Sequence, residues 1–153
     1  ATEGTVKSES YNMEINKLWP DIEVTGVACP LWVPIIENNE ANGPGADYFV
    51  KKRIDHILSL DPRIDTIILG CTHYPILIPK IKQYVPEGIR IISQGKYVAE
   101  SLKDYLNRHA DMDERCMKGG SARYFTTENE EKFKENARIF LPEGIEVSHL
   151  SLE

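Results

Sequence analysis

The chain has 153 residues, 41% hydrophobic and 27% charged, the composition of a globule that buries its own core without a disulfide or metal staple. With 18 Lys and Arg against 24 Asp and Glu the formal net charge is −6, which excludes nucleic acid and anionic membrane as main partners. No apolar stretch approaches a membrane span and no targeting segment is visible, while three widely spaced cysteines, Cys29, Cys71 and Cys116, fit free thiols in a reducing cytoplasm.

The chain opens on Thr2, Thr5 and Ser8, polar residues heading a helix with no strand before them, as in a piece cut from something longer. The stripe Tyr11, Ile15, Leu18, Trp19 follows at i, i+4, i+7 and i+8, one face of a helix. A β-branched run at 23–28 reads as a strand, and the Asn- and Gly-rich stretch 38–45 as a loop. Val50, Ile54, Ile57 and Leu58 mark a second helix, with Lys51, Lys52 and Arg53 on its solvated side. Runs at 64–69 and 89–93 read as strands, and Val98, Leu102, Tyr105 and Leu106 as a third helix. Residues 107–121 are polar and read as a linker containing Cys116. After a strand at 122–126, Thr127 and Glu130 form a capping box for a helix carrying Phe133, Ala137, Phe140 and Leu141, closed by Pro142 and Gly144. A last strand spans 145–150. This alternation predicts an α/β fold with a mainly parallel sheet flanked by helices.

Chemistry concentrates in Gly70-Cys71-Thr72-His73-Tyr74-Pro75, directly after the run 64–69. In open α/β sheets ligands bind beyond the carboxyl ends of strands, and Gly70 allows the tight turn that presents the following residues. Cys71, once ionised, can act as nucleophile or proton-transferring base; a small buried hydrophobe at a strand end is the bland alternative. His73, two residues on, is too close in sequence to abstract the Cys71 proton and is better placed for the substrate's other side. Cys29, flanked by Ala28 and Pro30, reads as packing, and Trp32 as core. No C-x-x-C or H-x-x-x-H spacing exists, so no metal is expected, and no pyridoxal-type lysine site or dinucleotide-binding glycine loop argues for a cofactor.

The hexapeptide, preceded by Ile-Ile-Leu, closely resembles the second active-site signature of bacterial glutamate racemases. Ala1-Thr2-Glu3-Gly4-Thr5-Val6-Lys7-Ser8 is similar to that family's threonine-rich substrate loop, and Ala28-Cys29-Pro30-Leu31 with Val33-Pro34-Ile35-Ile36-Glu37 to its glutamate-bearing loop. Tyr124 to Thr127 and Glu146 to Leu150 resemble the family's carboxyl end.

The resemblance implies an aspartate/glutamate racemase-like fold and cofactor-independent interconversion of L- and D-glutamate for peptidoglycan synthesis, with two cysteines on opposite faces of Cα exchanging roles as base and acid. Cys71 matches the second cysteine, His73 and Glu37 match residues assisting proton transfer on its side, and Thr72, Thr2 and Thr5 match substrate-contacting positions. Inversion without a cofactor needs two such positioned groups.

The family's first cysteine, with its Asp-Ser loop, would precede Ala1 and has no counterpart here. Ser93-Gln94-Gly95 replaces a more usual Asp-Ser-containing turn. By the resemblance, residues 1–94 form most of a second domain carrying Cys71, and 95–153 return to a first domain that is incomplete. The complete enzyme is then expected to be a cytoplasmic homodimer acting on glutamate, and the isolated fragment to be inactive. The alternatives are a non-catalytic dicarboxylate-binding half-module, or an aspartate-type racemase, which G-C-T-H argues against because aspartate relatives tend toward G-C-T-E.

Overall fold

The computed structural model describes residues 1–138, 140–141 and 144–152, and it divides the chain into two compact units, Ala1–Ser101 and the part from Leu102 onward. The first unit begins with two short helices, α1 (Glu3–Lys7) and α2 (Ser10–Leu18). Thr2 caps α1, its hydroxyl accepting from the Thr5 amide at 3.3 Å, so the opening polar residues act as helix-starting chemistry. Residues 22–29 carry no regular secondary structure, so the strand expected at 23–28 does not form part of a sheet. Two helices follow, α3 (Trp32–Glu37) and α4 (Pro44–Leu60), the latter with Pro at its first position, where a missing N–H costs nothing.

Strand β1 (Thr66–Leu69) pairs in parallel with β2 (Arg90–Ser93), Ile67 opposite Ile91 and Leu69 opposite Ser93. Their crossover contains a 3₁₀ turn at Tyr74–Leu77 and helix α5 (Ile78–Tyr84). Neither α3 nor α5 has the four-point apolar stripe, so neither announces itself in the sequence. The core lies between these elements: Val50 and Ile54 of α4 pack with Ile67 and Leu69 of β1, and with Leu77 and Ile81 of the crossover. Lys80 of α5 reaches Asp47 of α4 at 2.6 Å. Lys51 and Lys52 are exposed as expected, whereas Arg53 is half-buried.

Helix α6 (Gln94–Arg108) starts where the sequence suggested a turn and crosses from one unit into the next. None of its residues is buried, and Val98 and Leu102 of its apolar stripe are exposed. The second unit then holds α7 (Ala110–Arg115), β3 (Tyr124–Thr126), α8 (Glu130–Ala137) and β4 (Val147–His149). Its two strands also pair in parallel, Thr126 opposite His149. Helix α7 falls inside the expected linker, with Asp111 and Asp113 favourably placed in its first turn. The cap of α8 is Asn129, whose side chain accepts from the Lys132 amide at 3.0 Å, and not Thr127. Glu130, being the first helical residue, cannot close a capping box and instead accepts the His149 amide at 2.7 Å. Pro142 lies outside the described residues. No helix among the described residues is long and apolar enough to cross a membrane.

Candidate active site

The site grows from the carboxyl end of β1. Leu69 and Gly70 are buried, and the chain then curls so tightly that the Tyr74 amide donates to the Cys71 carbonyl at 3.3 Å. That curl brings together side chains that sequence spacing had held apart: Cys71 Sγ lies 3.8 Å from His73 Nδ1. The two side chains are within reach of each other although one residue separates them in sequence, because the backbone doubles back within three residues. Thr72 Oγ1 is 3.5 Å from the same Nδ1 and is exposed. On the other side of the ring, His73 Nε2 meets Glu37 Oε1 at 3.2 Å. Thiol, imidazole and carboxylate form one chain, built from the β1 loop and the last residue of α3.

Tyr74 anchors this arrangement from beneath. Its ring is buried, edge-on to Trp32 with centroids 4.8 Å apart, and its hydroxyl donates to the Cys29 carbonyl at 3.2 Å. The Trp32 indole N–H donates to the Phe49 carbonyl at 3.3 Å, which fixes the start of α3 and so the reach of Glu37. Trp32 is core, as its sequence context suggested. Cys29 is core as well, 6% exposed, and burial raises its thiol above the ordinary value of 9.0. It keeps its proton and donates toward the Val27 carbonyl at 3.8 Å. Cys71 is half-buried and Cys116 exposed.

The threonine loop lies beside the thiol loop because Gly70 lets it. A Cβ on Gly70 would come within 3.0 Å of the Ala1 Cβ and 3.1 Å of the Tyr11 ring. Ala1 is tied from its other side, its nitrogen donating to the Val27 carbonyl at 2.9 Å and its carbonyl accepting the Cys29 amide at 2.9 Å. Thr2 and Thr5, which follow, share a hydroxyl hydrogen bond of 2.8 Å. Tyr11, a member of an apolar stripe in the sequence, has its ring on Gly70 and its hydroxyl hydrogen-bonded by the Gln94 side chain. Among the described residues no cluster of three or more His, Cys, Asp or Glu could hold a metal ion.

These features define an α/β protein that gathers a thiol, an imidazole and a carboxylate at the carboxyl end of a parallel strand. No protein-family model matches the chain. It is similar to glutamate racemases: a curated glutamate racemase of Streptococcus pyogenes serotype M49 is 37% identical over 148 residues, 97% of this chain and 55% of that protein. The crystal structure of a glutamate racemase isoform from Bacillus anthracis matches with a TM-score of 0.84 at 30% identity, over 97% of this chain and 55% of its own. A Francisella tularensis glutamate racemase, solved in complex with D-glutamate, matches with a TM-score of 0.85 at 27% identity, over 99% of this chain and 56% of its own. The chain thus has the α/β fold of these racemases and spans about half the length of the curated relatives it matches.

Proposed function

We propose that this chain forms the Cys71 half of a glutamate racemase site, in which Cys71 exchanges a proton with Cα of glutamate on one face. The observation that carries this reading is the Cys71–His73–Glu37 chain at the end of β1, in a sequence similar to glutamate racemases. In the step proposed, the Cα–H bond breaks and an S–H bond forms on Cys71. The electron pair stays at Cα, delocalised toward the substrate carboxylate. His73 receives the thiol proton when the thiolate must be regenerated, and Glu37 holds the imidazole and balances its charge. Thr72, Thr2 and Thr5 supply hydroxyls for the substrate's carboxylate or amino group. No pyridoxal or nucleotide cofactor enters this scheme.

Inversion needs a second group on the opposite face. Cys29 is a poor candidate, since burial and its core packing keep it a neutral thiol. The opposite-face cysteine is then supplied outside these 153 residues, and residues 1–94 and 95–153 belong to two different domains of the complete enzyme. In that enzyme the reaction supplies D-glutamate for peptidoglycan in the cytoplasm, and the assembly is a homodimer. NMR titration separates substrate classes: D- or L-glutamate is expected to shift the ring resonances of His73, aspartate to shift them less, and Thr2→Val with Thr5→Val to weaken the response. Equal responses to glutamate and aspartate would reject the glutamate assignment.

A further inference from the structure

Glu37 stands where helix chemistry does not favour a carboxylate. It is the last residue of α3, at the negative end of the helix dipole, a position better suited to a cation. Helix α3 is also only six residues long, too short to keep its shape without outside support. Its start is held by the Trp32 indole bond and by burial of Trp32 and Ile36. Its end needs holding as well, because the 3.2 Å contact with His73 is made by a side chain that is itself exposed.

Residues 38–41 supply that support. The Asn39 backbone lies in the left-handed region at φ 58°, and two amides fold back over the helix end: the Asn39 N–H donates to the Ile36 carbonyl at 3.0 Å, and the Glu40 N–H to the Ile35 carbonyl at 2.9 Å. This pair of bonds closes a helix through one left-handed residue, a position that glycine usually fills. The Pro34 carbonyl accepts twice from Asn38, from its amide at 3.1 Å and from its side-chain nitrogen at 2.8 Å. The carbonyls of residues 34, 35 and 36, orphans of a helix end, are therefore all paired. The chain turns back, and Ala41 enters the same core as Ile36. With Ile36 and Ala41 both anchored and the turn between them closed, the Glu37 backbone is fixed and only its side-chain torsions remain free. Among the described residues the Asn39 side chain makes no hydrogen bond, so what this position contributes is its backbone conformation. That conformation opposes residues with a Cβ, asparagine less than most and a β-branched residue most of all.

We propose that Asn39 is a positioning residue of the site: its left-handed backbone closes α3 and holds the Glu37 carboxylate on His73 Nε2. It acts through Glu37 and is not itself a catalytic residue. The inference rests on the reading of Cys71, His73 and Glu37 as a proton path, and adds the residue that sets the geometry of that path. It assigns the turn after α3 a role in the chemistry as well as in helix termination.

The imidazole nitrogen signal of His73 tests it, read by NMR at one fixed pH in the whole chain, with the amide signals of α4 and α5 as the control for folding. Glu37→Gln sets the displacement of the Nε2 signal when the carboxylate is lost. Asn39→Val is expected to lower the closed-to-open ratio of the Glu37–His73 contact about tenfold, the factor that the left-handed penalty carries, and so to move the signal most of the way to its Glu37→Gln position. Asn39→Ala is expected to move it in the same direction by less. Asn39→Gly meets the left-handed region without penalty and is expected to leave the signal where the parent chain has it. In the Glu37→Gln background Asn39→Val is expected to add nothing. A signal unmoved by Asn39→Val and Asn39→Ala in folded chains, where Glu37→Gln does move it, would overturn the inference and leave the proton path standing. A displacement in Asn39→Gly equal to that of valine, or one that Asn39→Val still produces in the Glu37→Gln background, would overturn it too. A signal that Glu37→Gln itself does not move would remove the contact, and both readings would fall.

Discussion

Gly70 carries two demands at once, a tight turn after β1 and close passage of Ala1 and the Tyr11 ring. Gly70→Ala would force both neighbours back by a few tenths of an ångström, separating the threonine loop from the thiol loop. A loss of glutamate binding with little change in the melting of α4 and α5 is expected, read by titration and by circular dichroism. Glu37 is exposed, so Glu37→Gln should fold normally while loosening His73; proton exchange at Cα is expected to slow about a hundredfold, the order typical of a positioned acid–base group. An unchanged rate would remove Glu37 from the proton path. The three thiols should also differ in reactivity. Cys116 is expected to alkylate first, Cys71 next, and Cys29 last, because burial keeps Cys29 protonated in the folded state. That raised value has a consequence for stability. Below the unfolded value of 9.0 both states hold the proton, and the stabilisation it represents is fully present. Above it the unfolded chain ionises first, so stability falls as pH rises through the folded value. Denaturant midpoints between pH 8 and 10.5 should fall less steeply in Cys29→Ala than in the parent chain.

The elements of the first unit depend on a few fully buried side chains. Ile81 of α5 and Val50 of α4 have no exposed surface, and Ile81→Ala is expected to cost about 2–5 kcal/mol in denaturant unfolding. Which elements were legible in the sequence follows from what each one buries. Helix α4 was plain because 17 residues with one apolar face announce themselves, and β1 because Thr66 to Leu69 are β-branched or apolar and end at a glycine. Helices α3 and α5 are six and seven residues, too short for two turns of stripe. The run 23–28 had strand composition, but pairing is a property of neighbours, and no ladder lies beside it. The α8 cap was misplaced by two residues because Ser, Thr, Asn and Asp all offer the same acceptor, and only the backbone decides which one sits at the helix start.

For the whole molecule, the hexapeptide and its resemblance name the candidate residues, while their mutual geometry is not legible in the sequence. The one-residue spacing of Cys71 and His73 gives no sign of the 3.8 Å approach that the doubled-back chain makes, and only the resemblance, not any spacing, groups Glu37 with His73, 36 positions further on. The site therefore depends on α3 being held by Trp32 against Tyr74, and on the loop being held by the core beneath it. The most direct measurement is exchange of the Cα hydrogen of D- and L-glutamate in heavy water, with the folded chain and its Cys71→Ala variant side by side. Exchange of one enantiomer that disappears in Cys71→Ala is the expected result. Exchange that survives Cys71→Ala, or a folded parent chain that neither exchanges Cα nor responds to glutamate at His73, would contradict the assignment of Cys71 as the proton-transferring group.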